Sequence, residues 1–290
     1  MKKMKLPLLL FFMAFSLLPI SLFSMDWPVE SGVMKVNFGL NDQGQPILGV
    51  GFEYEGPIGA AEQGELLFQN KKDNGASRLV SPLGSWVALD HGGGIISIYS
   101  RMARNERLVI PEIIYKNSLV GTSGASGWTD TKGVYFSLFD RKGRRWINPA
   151  MIVIPLPESR APQILSVKLR NQEGSLISPS GTVNQGRYTI IAEAAEIFER
   201  TTRSPLAPFR IICSINGSEI GRLGFETYSA RDGSLMVYRN GLIPVRQIYA
   251  PYPAFELGTA SFARGQVTLE IIAQNAAEES RNVVYRFTVE

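Results

Sequence analysis

Short apolar runs separated by glycine- and asparagine-rich turns are the feature that most constrains the fold of this chain. Between residues 64 and 139 the runs are GELLF, SWVALD, GIISIYS and GVYFSLF. Runs of strand length with turn residues on both sides are typical of antiparallel β-structure. LDHGGGI predicts a hairpin with its glycine turn over 92–94, and FSLFDRKGRRWINP predicts a second hairpin with its turn over 140–143.

A second group of apolar runs follows the proline-rich stretch IPLPESRAPQI over 154–164, which predicts a linker. These runs are ILSVKL, RYTIIAE, FRIICSI, SLMVY, QVTLEIIA and VVYRFTV. Six or seven short strands in about 125 residues favour an Ig-like β-sandwich, although the chain lacks a Cys…Trp…Cys core. We therefore predict an all-β protein with an antiparallel β-domain over 25–155 and an Ig-like β-sandwich over 160–290.

The first residues have the pattern of a signal peptide. A basic start, MKKMK, precedes an apolar stretch that Pro19 interrupts, and the small residue Ser24 stands before a plausible cleavage point. We predict a signal peptide over 1–24 and export to the periplasm or cell envelope. A retained membrane anchor is the alternative, but the interruption leaves the apolar run short. Cleavage would remove three lysines and lower the formal net charge from +4 to +1, so nucleic acid is not an expected partner.

Four segments between Trp27 and Pro149 carry a family resemblance. They are WPVESGVMKVNFG, GVGFEYEGPIGAAEQGELLF, WVALDHGGGIISIYSRM, and SLVGTSG with GVYFSLFDRKGRRWINP. In order and spacing they resemble the LytM/lysostaphin-type peptidoglycan endopeptidases. The resemblance depends on all four segments together, which span about 120 residues, and no single segment carries it. It implies the duplicated hybrid motif fold of that family, and for an active member a catalytic zinc ion.

The resemblance also identifies the positions of the zinc ligands, and none of them has kept its ligand. Ile47 and Gly51 stand where the family has a His and an Asp, and Gly133 and Tyr135 replace two histidines. A catalytic zinc normally takes three protein ligands. We therefore expect no zinc and no other cofactor. The pattern is similar to the degenerate LytM domains of EnvC and NlpD type, which activate a separate cell-wall amidase.

The only histidine of the chain, His91, and the only cysteine, Cys213, are both expected to be structural. The resemblance places His91 at a framework position of the hairpin and Arg101 at the position of a catalytic histidine. One histidine does not hold a catalytic metal. Cys213 lies in an apolar strand-like run and is expected to be a buried core residue.

Two contact features are predicted in the N-terminal domain. The first is a binding groove at the former active site, lined by Phe52, Arg101, Trp128 and Tyr135. The alternative is that packing has filled this groove. The second is a basic hairpin that could meet an acidic partner through Arg141, Lys142, Arg144 and Arg145. Its alternative is an ordinary solvated turn.

Three functions remain open at this stage. The first is an exported, non-catalytic LytM-like protein, a pseudoenzyme that binds peptidoglycan or regulates a cell-wall hydrolase such as an amidase. The second is an active metalloendopeptidase with a non-standard site. The third is a structural or adhesion protein that works through the Ig-like domain. Membrane contact is expected only through an uncleaved signal segment.

Overall fold

The computed structural model describes residues 24–70, 81–104, 109–129, 131–153, 160–197, 205–251 and 253–290. The predicted signal segment before Ser24 and positions 154–159 of the predicted linker lie outside these residues. The prediction of an all-β protein is confirmed, because the described residues form β-strands and only two short 3-10 helices, Pro149–Met151 and Val245–Gln247. Across the described ranges, no helix has the length and apolarity needed to cross a membrane.

The strands of the N-terminal unit are short, and glycine-containing turns connect many of them. They are β1 (Val33–Val36), β2 (Asn41–Asp42), β3 (Gln45–Pro46), β4 (Val50–Glu53), β5 (Pro57–Gly59), β6 (Gly64–Asn70), β7 (Ser85–Asp90), β8 (Ile95–Met102), β9 (Ile113–Ile114), β10 (Leu119–Thr122), β11 (Gly133–Asp140) and β12 (Arg145–Ile147). Both predicted hairpins are confirmed. One is β7–β8 with its turn at the three glycines, and the other is β11–β12.

Strand β11 organises this unit. One edge of β11 pairs with β8 over 135–140. On its other edge, the first half of β11 pairs with β4 and its last residues pair with β12. The core beneath the sheet contains fully buried Tyr99, Phe136 and Leu138. The hydroxyl of Tyr99 accepts a hydrogen bond from the Ala61 N–H at 2.8 Å, so this large side chain fixes the chain ahead of β6. The core thus holds β4, β8 and β11 in one rigid layer.

The C-terminal unit has longer strands and alternates apolar with polar residues. They are β13 (Gln163–Arg170), β14 (Leu176–Ile177), β15 (Thr182–Val183), β16 (Gly186–Ala195), β17 (Arg210–Ile215), β18 (Ser218–Arg231), β19 (Ser234–Arg239), β20 (Leu242–Pro244), β21 (Ala254–Phe262), β22 (Gly265–Gln274) and β23 (Ser280–Val289). The six runs singled out in the sequence all lie in strands. The long strands β18 and β21 and the short strands β14, β15 and β20 were not anticipated.

Two sheets enclose the core of the C-terminal unit. One has the order β14-β13-β16-β21, and the other contains β15-β23-β22-β17-β18. Side chains from both sheets form one buried cluster, which includes Leu169 and Ile190 from the first and Leu223 and Ile271 from the second. This is a two-sheet β-sandwich. Its assignment as Ig-like remains a prediction.

The two units are joined through a continuous sheet. The second half of β18 pairs with β12, so that Trp146 lies opposite Tyr228. The segment after β1 also docks on the C-terminal unit. Phe38 is buried in the core of that unit, and the Asn37 side chain exchanges two hydrogen bonds with the Ala207 backbone at 2.7 and 2.9 Å. The boundaries predicted at 155 and 160 remain predictions, but contact between the units extends well beyond the linker.

Candidate functional site

The four degenerate ligand positions converge at the beginning of β11. Tyr135 pairs with Gly51 on β4, and Gly133 pairs with Glu53. Ile47 precedes β4 and lines the same cleft as Gly51 and Gly133. This cleft has a volume of about 450 Å³, within the range of small-ligand sites. The sheet register thus brings together residues that lie up to 88 positions apart in the sequence.

The two ligand positions that now hold glycine have also lost the space for a larger side chain. A Cβ atom at Gly133 would overlap the carbonyl oxygen of Phe52. The other side of Gly133 is closed as well, because it exchanges backbone hydrogen bonds of 2.8 and 3.0 Å with Gly124. A Cβ atom at Gly51 would meet the Val36 side chain at 2.7 Å. Glycine is therefore required by close packing at position 133, and a histidine cannot be accommodated there without moving backbone.

Ile47 and Tyr135 occupy the two other ligand positions without offering a zinc-binding group. Burial raises the pKa of the Tyr135 hydroxyl, against the opposing effects of the Arg101 charge and a backbone hydrogen bond with Leu48. Its ring lies close to Gly49, where a Cβ atom would come within 2.9 Å of Cζ. In the described parts of the chain, no three His, Cys, Asp or Glu side chains form a group that could hold a metal ion. The residues at the family's ligand positions therefore do not fit a zinc ion.

Arg101 enters the cleft from a β-bulge. In the β7–β8 pair, Ser85 lies opposite Met102 and Val87 opposite Tyr99, so two residues of β8 face one residue of β7. Arg101 takes the extra place with a φ of 63°. This left-handed conformation costs a non-glycine residue about 1 kcal/mol and is typical of functional sites. The Arg101 N–H donates to the Leu83 carbonyl at 2.8 Å, which helps to hold the bulge.

The bulge directs the Arg101 side chain over the ring of Tyr135. Its guanidinium carbon lies 4.8 Å from the ring centroid. A guanidinium stacked in this way keeps its in-plane N–H groups available for an acceptor. The predicted pair Arg101 and Tyr135 is therefore adjacent in the structure, but of the two only Arg101 lines the cleft. A bulge is a common device for turning a side chain towards a site, and it cannot be recognised from the local sequence IISIYSRM.

Trp128 lies at the rim of the cleft and is 72% exposed. The loop that carries it is held by Ser126, whose hydroxyl donates to the Met102 carbonyl at 2.6 Å and accepts from the Ser85 N–H at 2.8 Å. Gly127, with a φ of 79°, allows the loop backbone to approach the residues around Pro82. Ser126 is thus a structural residue, and the exposed indole is presented by an anchored loop.

Phe52, the fourth predicted groove residue, contributes less surface than expected. It is only 4% exposed, and its ring packs edge-on against Trp27 with the centroids 5.3 Å apart. It lines the floor of the cleft but belongs to the core.

The opposite wall of the cleft was not anticipated from the sequence. It is formed by Lys35 and Val36 of β1 and by the β2–β3 hairpin with Leu40 and Asp42. The sequence NDQGQP carried a turn signal for this hairpin, but nothing in it indicated proximity to Arg101.

His91 has both ring nitrogens engaged in the hairpin. Because a carbonyl oxygen only accepts, Nδ1 donates to the Gln63 carbonyl at 2.8 Å, and Nε2 then accepts from the Ser97 hydroxyl at 2.7 Å. Burial lowers the pKa of His91, against a smaller opposing effect of the Gln63 hydrogen bond. His91 does not line the cleft. This arrangement agrees with the expected structural role.

The basic hairpin lies at the other end of β11, away from the cleft. Arg141 follows Tyr135 by six positions, which is about 20 Å along an extended strand. Arg141 pairs with Asp90 at 3.3 Å and Arg145 with Asp140 at 3.0 Å. Lys142 and Arg144 are exposed and have no ion pair within the residues that the structure describes. The hairpin and the cleft are thus two separate surfaces.

Cys213 is fully buried in the core of the C-terminal unit, as expected from its apolar surroundings. Burial raises the pKa of its thiol to about 12, so the reactive thiolate is strongly disfavoured at neutral pH.

Several solved structures are similar to this chain. The catalytic domain of the prophage-encoded M23 protein EnpA from Enterococcus faecalis is 19% identical, and the match covers 44% of this chain and 95% of that chain with a TM-score of 0.36. The catalytic domain of the antimicrobial peptidase lysostaphin from Staphylococcus simulans is 16% identical over 38% of this chain and 78% of that chain, with a TM-score of 0.30. The structure of the SpoIIQ–SpoIIIAH pore-forming complex is 14% identical over 46% of this chain and 92% of that chain, with a TM-score of 0.37.

M23 and lysostaphin peptidases are among the solved structures to which this chain is similar. A protein-family model matches residues 161–290, which is the C-terminal unit. No curated protein matches the chain.

Proposed function

We propose that this chain is an exported, non-catalytic cell-envelope protein that binds peptidoglycan in the cleft at the former ligand positions. The observation that carries the proposal is the contrast inside this cleft. Its ligand positions are closed to metal-binding side chains at Gly133 and Gly51, yet the cleft remains open and presents Arg101 and Trp128. A groove that had simply been filled by packing would not expose 72% of an indole at its rim.

The residues in the cleft suit a peptide or glycan strand. Exposed aromatic rings and arginine are over-represented among residues that contribute strongly to binding. Trp128 offers a flat apolar face, and the loop that carries it is anchored through Ser126, so little backbone freedom is lost on binding. Residues of β1 and β4 line the cleft, so a bound peptide or glycan strand would lie beside these strands.

The proposal is tested with purified sacculi and the mature chain. We expect Trp128→Ala to weaken binding about tenfold or more, because an exposed aromatic anchor would be lost. Tyr115→Ala is the matched control, since Tyr115 is 66% exposed and follows β9 at the opposite edge of the sheet. Equal binding by the unaltered chain and both variants would contradict the proposal. If sacculi are not bound, a pull-down with a purified cell-wall amidase tests the regulatory form of the hypothesis.

The metallopeptidase alternative makes a different prediction. An active enzyme with a non-standard site would hold zinc tightly, and elemental analysis would find one zinc per chain that is lost in His91→Ala. We expect neither result, because both ring nitrogens of His91 are already hydrogen-bonded within the hairpin.

A further inference from the structure

The charged side chains inside the cleft limit which ligand it can bind. Two cations line it, Lys35 and Arg101, together with one exposed carboxylate, Asp42. Lys35 is paired with Glu53 at 2.5 Å. Arg101 has no ion-pair partner among the residues that the structure describes. Among the described residues, Arg101 and Asp42 are therefore the charged side chains of the cleft without an ion pair, and Arg101 is the one that can bind an anion.

The setting of this guanidinium differs from that of a surface arginine. Its side chain is half-buried, one face lies over the Tyr135 ring, and its backbone is held in a left-handed bulge. The stack and the bulge reduce the freedom that the side chain would lose on binding a ligand. Arginine in such a position recognises planar anions through two parallel N–H···O hydrogen bonds.

We infer that Arg101 binds a carboxylate of a peptide in the cleft, with Trp128 packing against the adjoining part of that peptide. This inference rests on the proposed function, because it names the group that the bound cell-wall strand presents. A carboxylate is planar and carries one negative charge, which matches one guanidinium. A phosphate dianion would require further cations, and the Asp42 carboxylate in the same cleft would repel a dianion more strongly than a singly charged carboxylate.

The experiment compares two forms of one ligand on the unaltered mature chain. The probes are soluble muropeptides released from sacculi and the same muropeptides after their carboxylates have been converted to amides. Calorimetric titration should show at least about tenfold weaker binding of the amidated form, because a charge-assisted, bidentate contact would be lost. Titration with acetyl-trialanine and its amide then locates the carboxylate. Tighter binding of acetyl-trialanine than of its amide indicates a terminal carboxylate, and equally weak binding of both indicates one on a side chain.

A variant links this preference to the residue. Arg101→Gln should bind the native muropeptides as weakly as the amidated ones and should no longer distinguish the two forms. Arg187→Gln is the control, because it removes an exposed arginine on β16 of the C-terminal unit that does not line the cleft, and it should leave affinity within about twofold. Should Arg101→Gln fold poorly, Arg101→Asn is the substitute, since asparagine tolerates the left-handed conformation better.

Each outcome has a distinct meaning. Amidated and native probes that bind equally to the unaltered chain would overturn the carboxylate inference. So would inorganic phosphate displacing the muropeptides as effectively as acetate does. If the carboxylate preference is absent while sacculi are still bound in a manner that requires Trp128, the inference fails and the proposed function stands. If sacculi are not bound at all, both fail.

Discussion

The two ends of strand β11 show how one strand can support two kinds of surface. At its beginning, Gly133 is enclosed between the backbones of Phe52 and Gly124, and the neighbouring side chains form a cleft. At its end, a turn projects four basic side chains into solvent, and two of them are ion-paired. The cleft end depends on close backbone packing, whereas the hairpin end depends on exposed charge. Substitutions at the two ends should therefore have effects on stability and binding that differ in size and in salt dependence.

The largest difference is expected between the glycines at the two ends. Gly133→Ala should lower the free energy of unfolding by about 3 kcal/mol, because the new methyl group meets fixed backbone. Gly143→Ala, in the hairpin turn, should cost about 1 kcal/mol, because its Cβ would meet only the side chains of Asp140 and Arg145, which can move. Denaturation in urea measures both. Similar losses at the two sites would remove the distinction between a packed end and an exposed end.

A smaller effect is expected from the unpaired charges of the hairpin. Replacing Lys142 and Arg144 together by glutamine should weaken binding to sacculi about threefold at low salt and have no effect at high salt, because exposed charges are screened. The affinity loss of the cleft variant Trp128→Ala should be equally large at both salt concentrations. Sedimentation of sacculi at two ionic strengths makes this comparison. A loss from the hairpin variant that does not depend on salt would indicate a direct contact at that end.

The smallest effect concerns pH and the β7–β8 hairpin. Burial lowers the pKa of His91 below 6.5, so its contribution to stability is complete above that pH and is lost as the pH falls through the folded-state pKa. The free energy of unfolding of the unaltered chain relative to His91→Gln should therefore decrease between about pH 7.5 and pH 5. Glu196, whose pKa burial raises to about 8, acts in the opposite direction, but it is present in both proteins and cancels. A constant difference across this range would mean that His91 does not titrate.

The fold was predictable where the signal is local. The glycine turn at 92–94 and the charged turn at 140–143 produced the two expected hairpins, since turn residues and alternating apolar positions act over a few residues. Strand β18 was missed because Gly221 and Gly224 interrupt its apolar pattern. These glycines serve close approaches, such as that between Gly221 and the Leu257 carbonyl, which the local sequence does not reveal.

By itself, the sequence determined the chemistry that the cleft could contain. It placed Ile47, Gly51, Gly133 and Tyr135 where the resembling peptidases carry ligands, and side-chain identity alone excludes those ligands. The tertiary structure decided what the cleft became instead. Only the pairing of β4, β8 and β11 brings these positions together, and only the bulge at Arg101 turns a guanidinium over Tyr135. The physical reason is that strand register and bulges are fixed by contacts between distant segments, whereas the residues available to a site are fixed by the sequence.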